Sequence, residues 1–202
     1  MATAASWEKI RNAATSGHDD KPARTTTQPY INLLESLRIL DPVEAWEPGN
    51  NHLKALAGSP KHYLADPALA TRLLRLTATQ LLGGQEPDIR VPRDGSFLGA
   101  AFEALVGLSV RTFAQHCEAR VYHLRTHGGR HEVDFIVEGV TGILAIEVKL
   151  AGTIRDKDVE DLLWLRNLPG VNCIDTVVVH TGPQAYRRGD GVAVVPLELL
   201  GP

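Results

Sequence analysis

Cysteine, methionine and aromatic residues are scarce in this chain: two Cys, one Met and 5% Phe, Trp and Tyr among 202 residues. Cys117 and Cys173 lie in unlike contexts without CxxC spacing. That argues against a disulfide framework or a cysteine-ligated zinc, and for two reduced thiols in a cytoplasmic protein. No apolar run reaches the roughly 18 residues of a membrane helix, and the opening MATAASWEKIRNAATSGHDD lacks the apolar centre of a secretory signal. No GxxxxGK[ST] occurs, so there is no Walker A loop and no ATP site. Charge of one sign is lacking too. The formal net charge is −3, with nine basic against eight acidic residues over 1–80 and twelve against sixteen over 81–202. A strongly basic nucleic-acid binder is excluded, and any DNA affinity would need a local basic patch or a bound cation. No internal repeat is present.

What is present divides at GGQEPDIRVPRDGS, residues 83–96, where Gly, Pro and charge interrupt the apolar pattern. Residues 1–82 read as a helical unit. SWEKIRNAA is a short helix, GHDDKPARTTT a loop, and TTTQPYINLLESLRIL a helix with Tyr30, Leu34, Leu37 and Leu40 at helical spacing. An Asp-Pro turn and a short extended pair follow. This is the pattern of a winged helix or of a plain helical packing element. DPALATRLLRLTATQLL reads as one amphipathic helix with Pro67 in its first turn. Residues 83–202 read as α-β-β-β-α-β-β. SFLGAAFEALVGLSVRTFAQH is a long helix with Leu98, Phe102, Leu105, Val106 and Phe113 as its apolar side. ARVYHLRT, HEVDFIVE and GILAIEVKL are strands, with HGGR a turn between the first two. RDKDVEDLLWLRNL is a helix, and IDTVVVHTG and GVAVVPL are strands. The most apolar strands, GILAIEVKL and TVVVHTG, fit the centre of a sheet covered on both faces.

Charge inside those apolar strands marks the candidate site. Alternation along a strand puts Asp134 with Ile136 and Glu138, and Glu147 and Lys149 with Ile143 and Ala145. A hairpin would bring Asp134 beside Glu147. Two carboxylates about 4 Å apart at an effective dielectric of about 20 repel by roughly 4 kcal/mol. One must be protonated, or a cation must lie between them. Lys149 supplies one positive charge and cannot neutralise two. A divalent cation can, and carboxylates with water and phosphate oxygens are the ligand set of Mg²⁺. A lysine next to such a metal can orient a water. Glu103, in the long helix, lies just beyond the apolar side and either reaches the sheet or faces solvent.

These residues resemble a known set. Glu103 on a helix, Asp134 in EVDFIV, and EVK from Glu147 to Lys149, threaded through α-β-β-β-α-β, resemble the PD-(D/E)xK nuclease superfamily. More closely, YLADPALA, FEALV, LRTHGGRHEVDFIVE, AIEVKLAGT, VVVHTG and VVPL, over about residues 60–200, are similar to the C-terminal domain of unknown function of prokaryotic AAA-family ATPases. Residues 25–60 resemble the winged-helix segment that precedes it there. The resemblance implies an α/β, restriction-endonuclease-like core with a mixed sheet, behind a small helical or winged-helix unit. It implies that Asp134, Glu147 and the backbone carbonyl of Val148 hold Mg²⁺ or Mn²⁺, with Glu103 a further ligand or supporting carboxylate. Lys149 would orient the attacking water, and the reaction would be hydrolysis of a DNA phosphodiester. An alternative is a non-catalytic module of the same fold that binds DNA or protein. An ATPase domain would be the partner in cis. The chain reads as an excised C-terminal piece or the product of a gene that lost its motor. Val133 stands where the superfamily often has proline.

Basic residues near the strands complete the expectations. Arg125, Arg130, Arg187 and Arg188, with Tyr186, either contact DNA phosphates or solvate hairpin turns. His116, His123, His127 and His131 cluster in sequence, with His123 and His131 as possible cross-strand neighbours. Scattered polar histidines are favoured there over a zinc site.

Overall fold

In the computed structural model the described residues are 7–15, 21–48, 58–83 and 96–201. The expected division at 83–96 falls almost wholly outside them. The described part is mixed α/β, with six α-helices and a six-stranded mixed sheet.

The first helix, α1 (Trp7–Ala14), matches SWEKIRNAA, and α2 (Arg24–Ser36) covers the second expected helix. That helix stops short of Leu40 because Arg38 turns to a φ of 56°. Leu40 instead begins β1 (Leu40–Val43), which pairs antiparallel with β2 (Lys61–Leu64). The Asp-Pro expected as a turn therefore lies inside β1, with Asp41 opposite Tyr63 and Pro42 opposite His62. A two-stranded sheet has only edges, so proline's missing N–H is tolerated there. The single helix expected from Pro67 onward is two, α3 (Pro67–Leu73) and α4 (Ala78–Gly83). Asp66 caps the first by accepting the N–H of Ala68 at 2.8 Å. Arg75, at φ 53°, ends it, and the Thr77 hydroxyl then caps the second by accepting the Gln80 N–H at 3.3 Å.

The long helix α5 spans Ser96–His116, the bounds read from the sequence. By length and composition alone it could cross a membrane, which a search for uninterrupted apolar runs misses. It lies on the sheet instead. The buried face is also rotated from the expected one: Phe97, Ala104, Val106, Val110 and Ala114 are buried, whereas Leu105 is 42% exposed. Small residues explain the rotation. Gly107 sits over the Phe135 ring so closely that a Cβ there would meet Cζ at 2.8 Å. The helix can approach the sheet along its Ala/Gly strip, and that carries Glu103, beside Ala104, over the strands.

The strands are β3 (Arg120–Arg125), β4 (Glu132–Gly139), β5 (Gly142–Lys149), β6 (Cys173–His180), β7 (Tyr186–Arg187) and β8 (Ala193–Pro196), in the spatial order β3-β4-β5-β6-β8-β7. The β3-β4-β5 meander is antiparallel; β6 joins β5 in parallel, β8 joins β6 in parallel, and β7 pairs antiparallel with β8. The short β7 lies between the two C-terminal strands read from the sequence. Between β5 and β6 lies α6 (Glu160–Arg166), preceded by a 3₁₀ turn at Asp156–Asp158. The sheet is covered on both faces. Leu162, Leu165 and Val159 pack with Ile136, Ala145 and Val178 on one side, and Ala104, Val106, Val110 and Tyr63 pack with Phe135, Ile146 and Val179 on the other. The edge at β3 is occupied by the chain after β1. His123 donates its N–H to Glu44 O and accepts from Trp46 N–H, at 2.9 and 2.7 Å. This hides an edge that would otherwise present unpaired backbone groups.

Candidate functional site

Two features of pairing create the site. The pairing of β4 with β5 runs from Gly139↔Gly142 to Phe135↔Ile146 and goes no further. Beyond that point β4 continues beside β3 to Arg125↔Glu132, while β5 continues beside β6 to Lys149↔His180. The two strands fork, and the register extended by one step would set Asp134 opposite Glu147. Asp134 fills the fork: its Oδ2 accepts the N–H of Val148 at 3.0 Å. The second feature is a register shift between Tyr122 and Leu124 of β3, where β4 holds one extra residue. Such a bulge re-aims side chains. Val133 and Ile136 both lie in the α6-side core while Phe135 lies in the α5-side core. The simple alternation that grouped Asp134 with Ile136 and Glu138 fails here. The Asp134 carboxylate reaches the cation that also holds Glu103 of α5.

That cation is Lys61 of β2, 5% exposed. Its Nζ lies 2.6 Å from Glu103 Oε1, 3.0 Å from Asp134 Oδ1 and 3.5 Å from Glu132 Oε1. Tyr63, two residues on and fully buried, donates its hydroxyl to Glu103 Oε1 at 2.6 Å, with the Arg111 guanidinium 5.5 Å above its ring. Burial works against charge on Lys61, but Asp134 and Glu103 outweigh it and raise its pKa. Burial and then the Asp134 charge raise Glu103, against the pull of Lys61. Sequence reading missed both Lys61 and Tyr63. The one available signal was charge balance, because three carboxylates near one point need more than Lys149.

Glu147 and Lys149 share a face as expected and pair with each other, Nζ to Oε1 at 2.6 Å. Burial, then the nearby Asp134 charge, push Glu147 up to about 8 despite that lysine. Its Oε2 is buried with no hydrogen-bond partner among the described residues. A buried carboxylate oxygen without a donor is a costly state, and a cation would relieve it. As the side chains stand, no group of three or more His, Cys, Asp or Glu among the described residues could hold a metal ion. Mg²⁺, however, is commonly held by one or two carboxylates with waters and phosphate oxygens. Asp134, Glu147 and a backbone carbonyl fit that set in number and in hardness.

The basic residues divide. Arg125 and Arg130 flank the β3–β4 turn, where Arg125 Nε lies 3.7 Å from Glu132 Oε2. Arg187 holds Asp175 with both terminal nitrogens, at 2.9 and 2.8 Å. Arg188 joins Asp156 to Asp190, at 2.6 and 3.0 Å. Together with the 44%-exposed Tyr186, they stand at the opposite end of the sheet order from β3, and Arg187 and Arg188 are already paired. The histidines do not converge. His123 is buried with Nε2 3.1 Å from Ser59 O, while His131 holds Asp161 at 2.7 Å and stacks on Trp164 with ring centroids 4.0 Å apart.

A three-layer α/β chain with a polar fork in its sheet is the class that fold and site define. A family profile described as "Domain of unknown function (DUF4143)" matches residues 98–200, half of the chain, and the chain belongs to that family. The domain stands at the C-terminus of AAA-family ATPases generally. A second profile, also described as a domain of unknown function (DUF8612), matches residues 2–80. No curated protein and no solved structure matches.

Proposed function

We propose that the β4–β5 fork is the divalent-cation site of a DNA phosphodiesterase of the restriction-endonuclease-like PD-(D/E)xK type. The observation that carries this reading is the buried Oε2 of Glu147, which has no hydrogen-bond partner among the described residues and feels the Asp134 charge. Asp134, Glu147 and the carbonyl of Val148 would hold Mg²⁺ or Mn²⁺. The bound metal would supply Lewis-acid stabilisation of phosphate charge and a more acidic water. Lys149, part-exposed beside Glu147, is the residue that can orient the attacking water and donate to a phosphate oxygen. Glu103 meets the site through Lys61, which it holds at 2.6 Å, rather than by ligation. Arg125 and Arg130 at the β3–β4 turn are the basic residues best placed to meet a phosphate backbone, and Arg187 and Arg188 would first have to leave their carboxylate partners. On this reading the partners are DNA and an AAA-family ATPase domain in cis, in the cytoplasm.

A second reading is favoured by a specific observation. Each acidic group of the site already has a lysine, with Lys61 on Asp134 and Glu103 and Lys149 on Glu147. A cluster in which every one of these carboxylates already meets a lysine suits a non-catalytic DNA- or protein-binding module of the same fold. The two are separated by incubating the chain with branched, single-stranded and double-stranded DNA and Mg²⁺ or Mn²⁺. Metal-dependent cleavage lost in both Asp134→Ala and Lys149→Ala is the expected result. Absence of cleavage, or cleavage in both variants unchanged from wild type, leaves the binding module.

A further inference from the structure

The ligand side chains of the proposed site all come from the region matched at 98–200, but the cation nearest Asp134 comes from residue 61, in the region matched at 2–80. Resting on the cation-site reading above, we propose that Lys61 is an internal competitor for the divalent ion, and that metal loading requires it to withdraw from Asp134.

Both oxygens of Asp134 are engaged, Oδ1 by Lys61 Nζ at 3.0 Å and Oδ2 by the Val148 N–H at 3.0 Å. A magnesium ion sits about 2.1 Å from a ligand oxygen. An ion on Asp134 would therefore share a carboxylate with a buried ammonium, two like charges with little water between them. One of the two cations must give way. A route for the lysine exists. Glu132, also within 3.5 Å of Nζ, is 38% exposed at the rim of the site, so the ammonium can shift toward it and stay paired. Glu103 acts in the opposite direction. At 2.6 Å, and itself anchored by the Tyr63 hydroxyl, it pins Lys61 in the closed position.

Position matters as much as charge. Lys61 opposes Val43 across the β1–β2 pair, and the residues following β1 are hydrogen-bonded to His123 at the β3 edge. Lys61 reaches Asp134 only while this segment is docked. Metal affinity thereby becomes a report of docking: whatever loosens residues 58–64 from the sheet frees the carboxylate for metal. The regulation needs no new site and no large motion, only a lysine that changes partner.

The test is calorimetric titration of the intact chain with MgCl₂ at about pH 8.5, where carboxyl protons compete least. Wild type is compared with Lys61→Gln, with the charge-balanced double variant Lys61→Gln/Glu103→Gln, and with Asp134→Asn as the reference lacking a ligand. Circular dichroism checks that each variant is folded, and the double variant serves if the single one does not fold. Removing one like charge a few ångström from the ion predicts affinity at least about tenfold tighter in the Lys61 variants than in wild type, and weaker in Asp134→Asn. Equal or weaker affinity in the Lys61 variants overturns the competition and leaves the cation site standing. Heat absent from every protein, Lys61→Gln included, overturns the cation site and the competition together.

Discussion

The three carboxylates differ in what holds them. Glu103 is fixed by a tyrosine and a lysine, Asp134 by a lysine and a backbone N–H, and Glu147 by one lysine with an oxygen to spare. Removing the Tyr63 hydroxyl leaves Glu103 less satisfied. Tyr63→Phe is expected to cost about 1–2 kcal/mol of stability in urea unfolding without changing the slope of the transition. Glu147 makes a pH prediction. Its carboxyl is raised from 4.5 to about 8 in the folded chain, so the folded state binds the proton more tightly than the unfolded one. Stability from this group is complete below pH 4.5 and is lost as pH rises through about 8. In the absence of divalent metal, wild type should lose stability over that range relative to Glu147→Gln. Parallel Tm-against-pH curves for the two proteins would refute the assignment. At this scale sequence reading located Asp134, Glu147 and Lys149, because charge inside an apolar strand stands out. It left Glu103 undecided between sheet and solvent, since the helix position that reaches the sheet depends on where Gly107 lets the helix approach.

Among the elements, the β4–β5 hairpin is the most legible and the most demanding. Its turn needs Gly142 at φ +143°, where a Cβ would lie 2.4 Å from Asn172 O and 2.9 Å from Asn172 Nδ2. Gly142→Ala combines a strained backbone with a clash against main chain. It should destabilise by about 2–4 kcal/mol, measured by chemical unfolding, with a surface variant such as Gly152→Ala near zero for comparison. Period-2 alternation found β3 to β6 and β8, but it could not find the bulge in β4. A bulge is a relation between two strands, visible only when β3 is laid beside β4, and it is what turns Asp134 toward Lys61. The break between α3 and α4 escaped for a similar reason. Both segments are apolar at helical spacing, and the left-handed Arg75 between them carries no glycine or proline to announce it.

For the molecule as a whole, Lys61 ties the N-terminal unit to β4 through Glu132 and Asp134 and to α5 through Glu103. Lys61→Ala leaves Glu103 and Asp134 as buried charges without their cation. It is expected to lower stability by about 3–5 kcal/mol. Calorimetric unfolding of wild type should show one transition. Two transitions in wild type, or a Lys61→Ala change within about 0.5 kcal/mol of zero, would show that the two regions do not share the site. What the chain's residue order determined by itself was local and periodic: the strands, the long helix, the apolar layers and the presence of charges too costly to bury alone. Tertiary structure decided which cation meets them. Lys61 is 73 residues before Asp134, and no spacing rule spans that distance. Only the docking of one unit's strand pair against the other unit's sheet brings the ammonium within 3 Å of the carboxylate, where low dielectric makes the pairing strong enough to matter.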